Sequence, residues 1–152
     1  DGEVTVLIEN TAGQGTNVGF RFEHLIGIIE GVEKKDRMGV CFDTQHGFAS
    51  GYDIRTEKGW KETFDEFDKT VDLKWLKAFH INDSKKECGS RVDRHESIGK
   101  GLLTMETFWC LVNDDRFTEL PMLLETPVDD PSEYAVEIEL LRGLVGSKKP
   151  AS

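Results

Sequence analysis

Met38-Gly39-Val40-Cys41-Phe42 is a short apolar run that stops at Asp43, and this plan recurs along the chain. Residues 4–8, Val-Thr-Val-Leu-Ile, stop at Glu9-Asn10. Residues 76–81 carry His80 and lead into Asn82-Asp83, and Met122-Leu123-Leu124 stops at Glu125-Thr126-Pro127. Helical periodicity fills the gaps. Phe22, Leu25, Ile26, Ile29 and Val32 recur at helix spacing after a Gly-rich turn at residues 11–15. Trp60, Phe64 and Phe67 mark a second helix beyond a Gly/Ser loop around Gly51. A polar loop at residues 84–101 precedes a helix over 104–112, with Thr104 as N-cap, and Ser132 caps a last helix over 132–144. Strand, loop and helix thus repeat four times, which predicts an α/β fold with a parallel sheet covered by helices. Residues 147–152 read as a frayed, flexible tail beyond a single domain at 1–146.

The composition agrees with one domain. The chain has 152 residues, 38% hydrophobic and 32% charged, enough apolar material for a core and too much for a disordered chain. Its longest unbroken apolar stretch is about five residues, whereas a membrane span needs roughly 20. No signal-like segment opens the chain, and the absence of an initial Met is consistent with a cut or processed end at residue 1. Cys41, Cys88 and Cys110 are odd in number and widely spaced. They suit free thiols in a reducing, intracellular compartment: the cytoplasm, or the nucleus or mitochondrion of a eukaryote. The net charge of −10 argues against non-specific nucleic-acid binding unless a basic loop or acids spent on metal ions change the local balance.

Each apolar run ends in a group that can bind a metal. Glu9, Asp43, His80 and Glu125 are 34, 37 and 45 residues apart, about one βα unit each. In α/β barrels the C-terminal strand ends converge on one face, so these four converge too. Three carboxylates and an imidazole suit a divalent cation, with Zn²⁺ or Mn²⁺ favoured over Mg²⁺ by the histidine. Asp43-x-x-His46 places a second imidazole in the loop after the second strand, and Asp93-Arg94-His95 adds a carboxylate and a third imidazole. Two His and one carboxylate leave an open position on tetrahedral zinc, as a catalytic ion requires. Lys85, Lys86, Arg91, Arg94 and Lys100 crowd the same loop, which becomes locally basic if Asp93 binds metal and can then meet a phosphate backbone. His24 lacks such company and reads as a surface or packing residue.

Five motifs in this order resemble the endonuclease IV family of zinc-dependent apurinic/apyrimidinic (AP) endonucleases. They are residues 7–15 (Leu-Ile-Glu-Asn-Thr-Ala-Gly-Gln-Gly), 42–46 (Phe-Asp-Thr-Gln-His), 80–85 (His-Ile-Asn-Asp-Ser-Lys), 89–95 (Gly-Ser-Arg-Val-Asp-Arg-His) and 124–127 (Leu-Glu-Thr-Pro). The resemblance implies a TIM barrel and three zinc ions. Glu9 would bridge the first two; Asp43, His80 and Glu125 would complete the second; His46, Asp93 and His95 would hold the third. Arg94 would reach into the DNA, with Lys85 and Arg91 on its backbone. Gln45 stands where the family often has Cys. Two further His ligands of the first zinc precede this segment in the family, and a full barrel takes ~250 residues. The chain therefore resembles the C-terminal half of such an enzyme, four βα units of eight, with the first zinc site incomplete.

The implied activity is hydrolysis of the phosphodiester 5′ to abasic sites in double-stranded DNA during base excision repair, with Glu9 and Glu125 orienting the nucleophile. The missing N-terminal half-barrel is the implied partner, and the chain alone is expected to be inactive. Its first and fourth strands should be unpaired edges, and its inner face an open apolar patch. Two other readings remain at this level: a xylose-isomerase-like sugar isomerase or epimerase, for which the strand-end quartet suits equally, and a non-catalytic half-barrel binding module. The trio His46, Asp93 and His95 separates the first from the nuclease, because a one-metal isomerase has no need of it.

Overall fold

The computed structural model describes residues 4–150. Its strands are β1 (Val6–Glu9), β2 (Met38–Asp43), β3 (Leu76–Ile81), β4 (Asp83–Ser84), β5 (His95–Glu96) and β6 (Met122–Leu124). Its helices are α1 (Phe22–Gly31), α2 (Thr44–Ser50), α3 (Glu57–Thr70), α4 (Met105–Asn113) and α5 (Glu133–Leu144). The four long apolar runs form one sheet of order β1-β2-β3-β6, with every neighbouring pair parallel. Sequential order with parallel pairing is the arrangement of successive βα units in a barrel wall. β1 and β6 are its two edges.

Local chemistry departs from the sequence reading at several points. β1 begins at Val6 instead of residue 4. The segment after β2 that carries His46 is a helix, α2, where a loop was expected; the Gly/Ser loop around Gly51 follows it. Asp43 accepts a hydrogen bond from His46 N to start the helix, and Gly51 at φ 116° stops it. Gly47 inside it is required, since a Cβ there would lie 2.4 Å from the Phe42 ring. The 84–101 loop is partly ordered by an antiparallel pairing of β4 with β5. Thr104 stands at an N-cap, yet its hydroxyl donates to the Arg55 carbonyl instead. Ser132 makes no side-chain cap either; the Asp130 carboxylate accepts its N–H at 2.8 Å and organises that turn. Of the tail read at 147–152 and the chain start, residues 151–152 and 1–3 lie outside the described residues. Lys149 reaches Glu57 at 2.8 Å, and Trp109 donates to the Ser147 carbonyl at 3.0 Å.

The core lies between the sheet and its helices and is aromatic. Eight of the nine phenylalanines are fully buried, the exception being Phe20. Phe64 of α3 is central, with ring centroids 5.1 Å from Phe42, 4.8 Å from Phe117, 5.8 Å from Phe79 and 4.6 Å from Trp60. Phe64→Ala is expected to destabilise the chain by about 3–5 kcal/mol, because neighbouring rings cannot collapse into the cavity. Urea titration checks this, and a loss below ~1 kcal/mol would contradict the packing described.

The other face of the sheet mixes apolar and cationic side chains. Leu7 and Leu123 are exposed on the edge strands, but Gly39 leaves a gap on β2 that the Lys77 stem crosses. A cationic side chain therefore lies amid this face. Among the described residues no helix is long and apolar enough to cross a membrane.

Candidate metal centre

Glu9 and Asp43 end their strands, Glu125 directly follows β6, and His80 pairs with Asp43 across β2 and β3. That pairing depends on an irregularity. Val40 is opposite Leu76, but Cys41 is opposite Ala78, so Lys77 is an extra residue in β3. Uninterrupted pairing would set Phe79 against Asp43. The bulge advances β3 by one residue, putting His80 beside Asp43 and Phe79 in the core. Deleting Lys77 is expected to remove the bulge while keeping Cys41 opposite Ala78 and Asp43 opposite His80, so His80 stays in the cluster. The check is zinc uptake, which should persist; its loss would show that His80 depends on the extra residue itself.

The strand-end quartet converges. Ligand atoms of Glu9, Asp43, His80 and Glu125 all lie within 4.8 Å of one another. His80 Nδ1 is 3.2 Å from Glu9 Oε1 and 3.1 Å from Glu125 Oε2. Glu9 Oε1 and His80 Nδ1 are buried without a hydrogen-bond partner. Buried polar atoms normally have one, and two orphans aimed at a shared point fit a cation between them.

A second set adjoins it. His46 Nε2 is 3.3 Å from Asp93 Oδ2 and 3.3 Å from His95 Nε2, and His95 Nε2 is 3.4 Å from Asp93 Oδ1. Tetrahedral zinc with bonds of about 2.0–2.1 Å separates its ligand atoms by roughly 3.3–3.4 Å; the two imidazoles are at that spacing, and Asp93 meets each of them at it through a different oxygen. The ring orientations agree. His46 Nδ1 lies 2.9 Å from the Asn10 carbonyl and His95 Nδ1 3.2 Å from the Glu125 carbonyl. Both carbonyls can only accept, which leaves each Nε2 for the ion. Asp43 also groups with His46 and His95, so it stands between the two sets. His46 sits in α2, not in a loop, and the helix fixes its ring over Glu9, 3.1 Å away.

The electrostatics match a cation site. Burial alone would lower the His46 imidazole, but Glu9, Asp43 and Asp93 overcome it and hold the group at about 9. Burial would likewise raise the Glu9 carboxyl, yet His46 and His80 bring it below the ordinary carboxylate value. Asp43 is fully buried, and that burial pushes it up. Cys41 is pushed to about 12, by burial first and then by Glu9 and Asp43, and stays a neutral thiol.

A supporting layer was not singled out from the sequence. Asn10 accepts from Asp43 N at 2.7 Å and donates to its carbonyl at 3.1 Å. Asn82 donates to Asp43 Oδ2 at 2.6 Å, and Thr44 ties to the Asn82 backbone. Gln45 is buried and donates to the Val92 carbonyl at 3.1 Å, anchoring the Asp93 loop from below. A polar residue one or two positions beyond Glu9, Asp43 and His80 is the only sequence signal these have. The basic residues are less uniform than the loop composition implied. Arg94 is turned back to the Asp93 carbonyl and Lys85 is 3.7 Å from Glu96. Arg91 stacks over Phe20, 4.1 Å from the ring centroid, which accounts for that one unburied Phe. His24 packs edge-on against Phe20 and stands apart from both sets.

A parallel βα sheet with carboxylates and imidazoles gathered at its C-terminal strand ends belongs to the class of barrel proteins that work from that face. Residues 1–144 match the family model described as xylose isomerase-like TIM barrel, and the chain belongs to that family. Within it, the chain is 53% identical over 146 residues to a Campylobacter curvus protein named probable endonuclease 4, covering 96% of this chain and 51% of that one. A Citrifermentans bemidjiense protein of the same name is 55% identical over 141 residues, covering 92% and 50%. Endonuclease IV from Thermus thermophilus superposes with a TM-score of 0.81 at 34% identity, covering 92% of this chain and 49% of that chain. The chain thus spans about half the length of the curated relatives it matches.

Proposed function

We propose that this chain is the C-terminal half-barrel of a zinc-dependent AP endonuclease that cuts the phosphodiester 5′ to an abasic site in double-stranded DNA and leaves a 3′-hydroxyl. The observation that carries the reading is the pair of adjoining donor sets: the strand-end quartet and, beside it, His46 and His95 with the Asp43 and Asp93 carboxylates. A quartet alone would serve a sugar isomerase equally; the trio beside it favours phosphodiester chemistry, which gains from several cations around one phosphate.

Glu9, Asp43, His80 and Glu125 would hold one zinc, and His46, Asp93 and His95 another, with Glu9 also facing a third site that needs ligands from the other half. Zinc, when bound, supplies hydroxide near neutral pH and offsets the charge building on the phosphate. Glu9 and Glu125 orient the attacking water by accepting its hydrogen bonds. Arg94 would reach into the DNA, and Arg91 and Lys85 would meet its backbone; Arg91 is held for this by its stacking on Phe20. A missing base makes extrusion of the nucleotide inexpensive, which suits an abasic substrate. The free thiols of Cys41, Cys88 and Cys110 support a reducing compartment.

The experiment combines this chain with the remaining half of the Campylobacter curvus relative and adds zinc and an abasic duplex. The expected result is nicking 5′ to the lesion, absent when either half is omitted. Sugar isomerisation without nicking, or a well-formed complex that neither nicks nor binds the duplex, would overturn the reading.

A further inference from the structure

The loop that carries Asp93, Arg94 and His95 leaves β4 and returns before α4, and its polar sequence gives it little core of its own. Two buried carboxylates hold it. Asp83 is completely buried, and four backbone N–H groups donate to it: Ser84 at 2.7 Å and Leu103 at 2.9 Å to Oδ1, Gly99 at 3.0 Å and Gly101 at 2.9 Å to Oδ2. Both ends of the loop are therefore tied to one side chain. The fit is tight, because a Cβ on Gly101 would lie 2.4 Å from Asp83 Oδ1. Glu137, buried on α5, accepts from Ile98 N at 2.8 Å through Oε1 and from the Thr126 hydroxyl through Oε2. Ile98 belongs to the loop of His95, and Thr126 is the neighbour of Glu125.

Among the described residues neither carboxylate has a salt-bridge partner. Burying a charge without a counter-charge is costly unless hydrogen bonds replace the lost water. Here backbone N–H groups supply that replacement, and the groups they fix are the ones that carry the two donor sets. We propose that Asp83 and Glu137 are positioning residues. Asp83 clamps the base of the loop so that Asp93 and His95 face His46, and Glu137 sets the spacing between that trio and the Glu125 end of the quartet. The proposal rests on the metal-centre reading above, and its test separates the two.

Zinc is titrated into the full chain against a chromophoric chelator, and amide hydrogen exchange is followed on the metal-free protein. Wild type is expected to show two affinity classes, and His95→Ala identifies the trio by removing one. Asp83→Asn offers one acceptor oxygen and an NH₂ in place of two acceptors, so it cannot receive all four N–H groups. It is expected to weaken the trio class roughly 10–100-fold, leave the quartet class unchanged, and speed exchange at Gly99, Gly101 and Leu103. Glu137→Ala should weaken the same class. Glu137→Gln, which keeps an acceptor for Ile98 and a donor for Thr126, should restore it. Wild-type affinities in both Asp83→Asn and Glu137→Ala, or equal weakening of both classes, would overturn the proposal. No zinc uptake by wild type would overturn the metal reading instead. The exchange data then decide the clamp alone, and protection in Asp83→Asn equal to wild type would end it. If Asp83→Asn does not fold, the contrast of Glu137→Ala with Glu137→Gln carries the test.

Discussion

Replacing Asp43 by Asn is expected to remove most zinc uptake from both donor sets while the metal-free chain stays folded. Asp43 is the one residue common to the two groups that can hold an ion, so its charge serves both. Asn has the same shape and can keep a cap on His46 N, where Asp43 Oδ1 accepts at 2.8 Å. What it loses is the anion. If zinc binding at pH 7 amounts to about 10–16 kcal/mol over four ligands, one ligand is worth roughly 2.5–4 kcal/mol, or a 100-fold to 1000-fold weakening. The metal-free variant gains in one respect, because an amide avoids the desolvation that pushes the buried Asp43 carboxyl above its ordinary value. The check is thermal melting with and without zinc. Wild type should rise in Tm as zinc binds the folded state, and Asp43→Asn should barely move. An equal zinc-induced rise in both proteins would place the ion elsewhere.

The second large effect concerns the chain by itself. Its sheet has two open edges, and both carry exposed apolar side chains: Val6 and Leu7 on β1, Leu123 on β6. Beside β6 a groove of about 490 Å³ is lined by Met122, Leu124, Ile138, Leu141 and Val145. Four parallel strands stop short of a closed ring, and unpaired edges of this kind template further pairing. Pairing of β6 in one copy with β1 in the next is heterologous, so it continues until a ring closes or a filament grows. Lys77 on the same face brings like charges together in any such ring and disfavours a tight one. The purified chain is therefore expected to sediment as dimers and larger species and to leave abasic DNA uncut, and the complementary half should dissolve those species into a one-to-one complex. A stable monomer that nicks abasic DNA unaided would contradict this.

Much of the arrangement was legible because each apolar run stops at a chemically distinctive residue. Glu9, Asp43, His80 and Glu125 announce both the strand ends and the site, since in a βα barrel these are the same place. Asp93-x-His95 was legible for the same reason: metal chemistry demands particular residue types. What escaped had no such mark. The Lys77 bulge leaves no trace in hydropathy, because Leu76 and Ala78 on either side are both apolar and buried. Helix α2 was hidden by its glycine: Gly47 is there for close packing on Phe42, yet beside the Gly51 loop it gives the segment a loop-like composition. Ser132 and Thr104 have the composition of N-caps, but Asp130 and the Arg55 carbonyl compete for those roles through contacts that sequence does not show. Glu137 reads as an exposed helical acid, and only the fold places it against Ile98 and Thr126.

Anomalous diffraction at the zinc edge, from crystals of this chain, alone or with its complementary half, grown with zinc, tests the two metal sites most directly. One peak is expected enclosed by Glu9, Asp43, His80 and Glu125 and a second enclosed by His46, Asp93 and His95. Density for both carboxylate and imidazole clusters with no anomalous peak in either, at zinc concentrations that load a known zinc enzyme, would contradict both assignments.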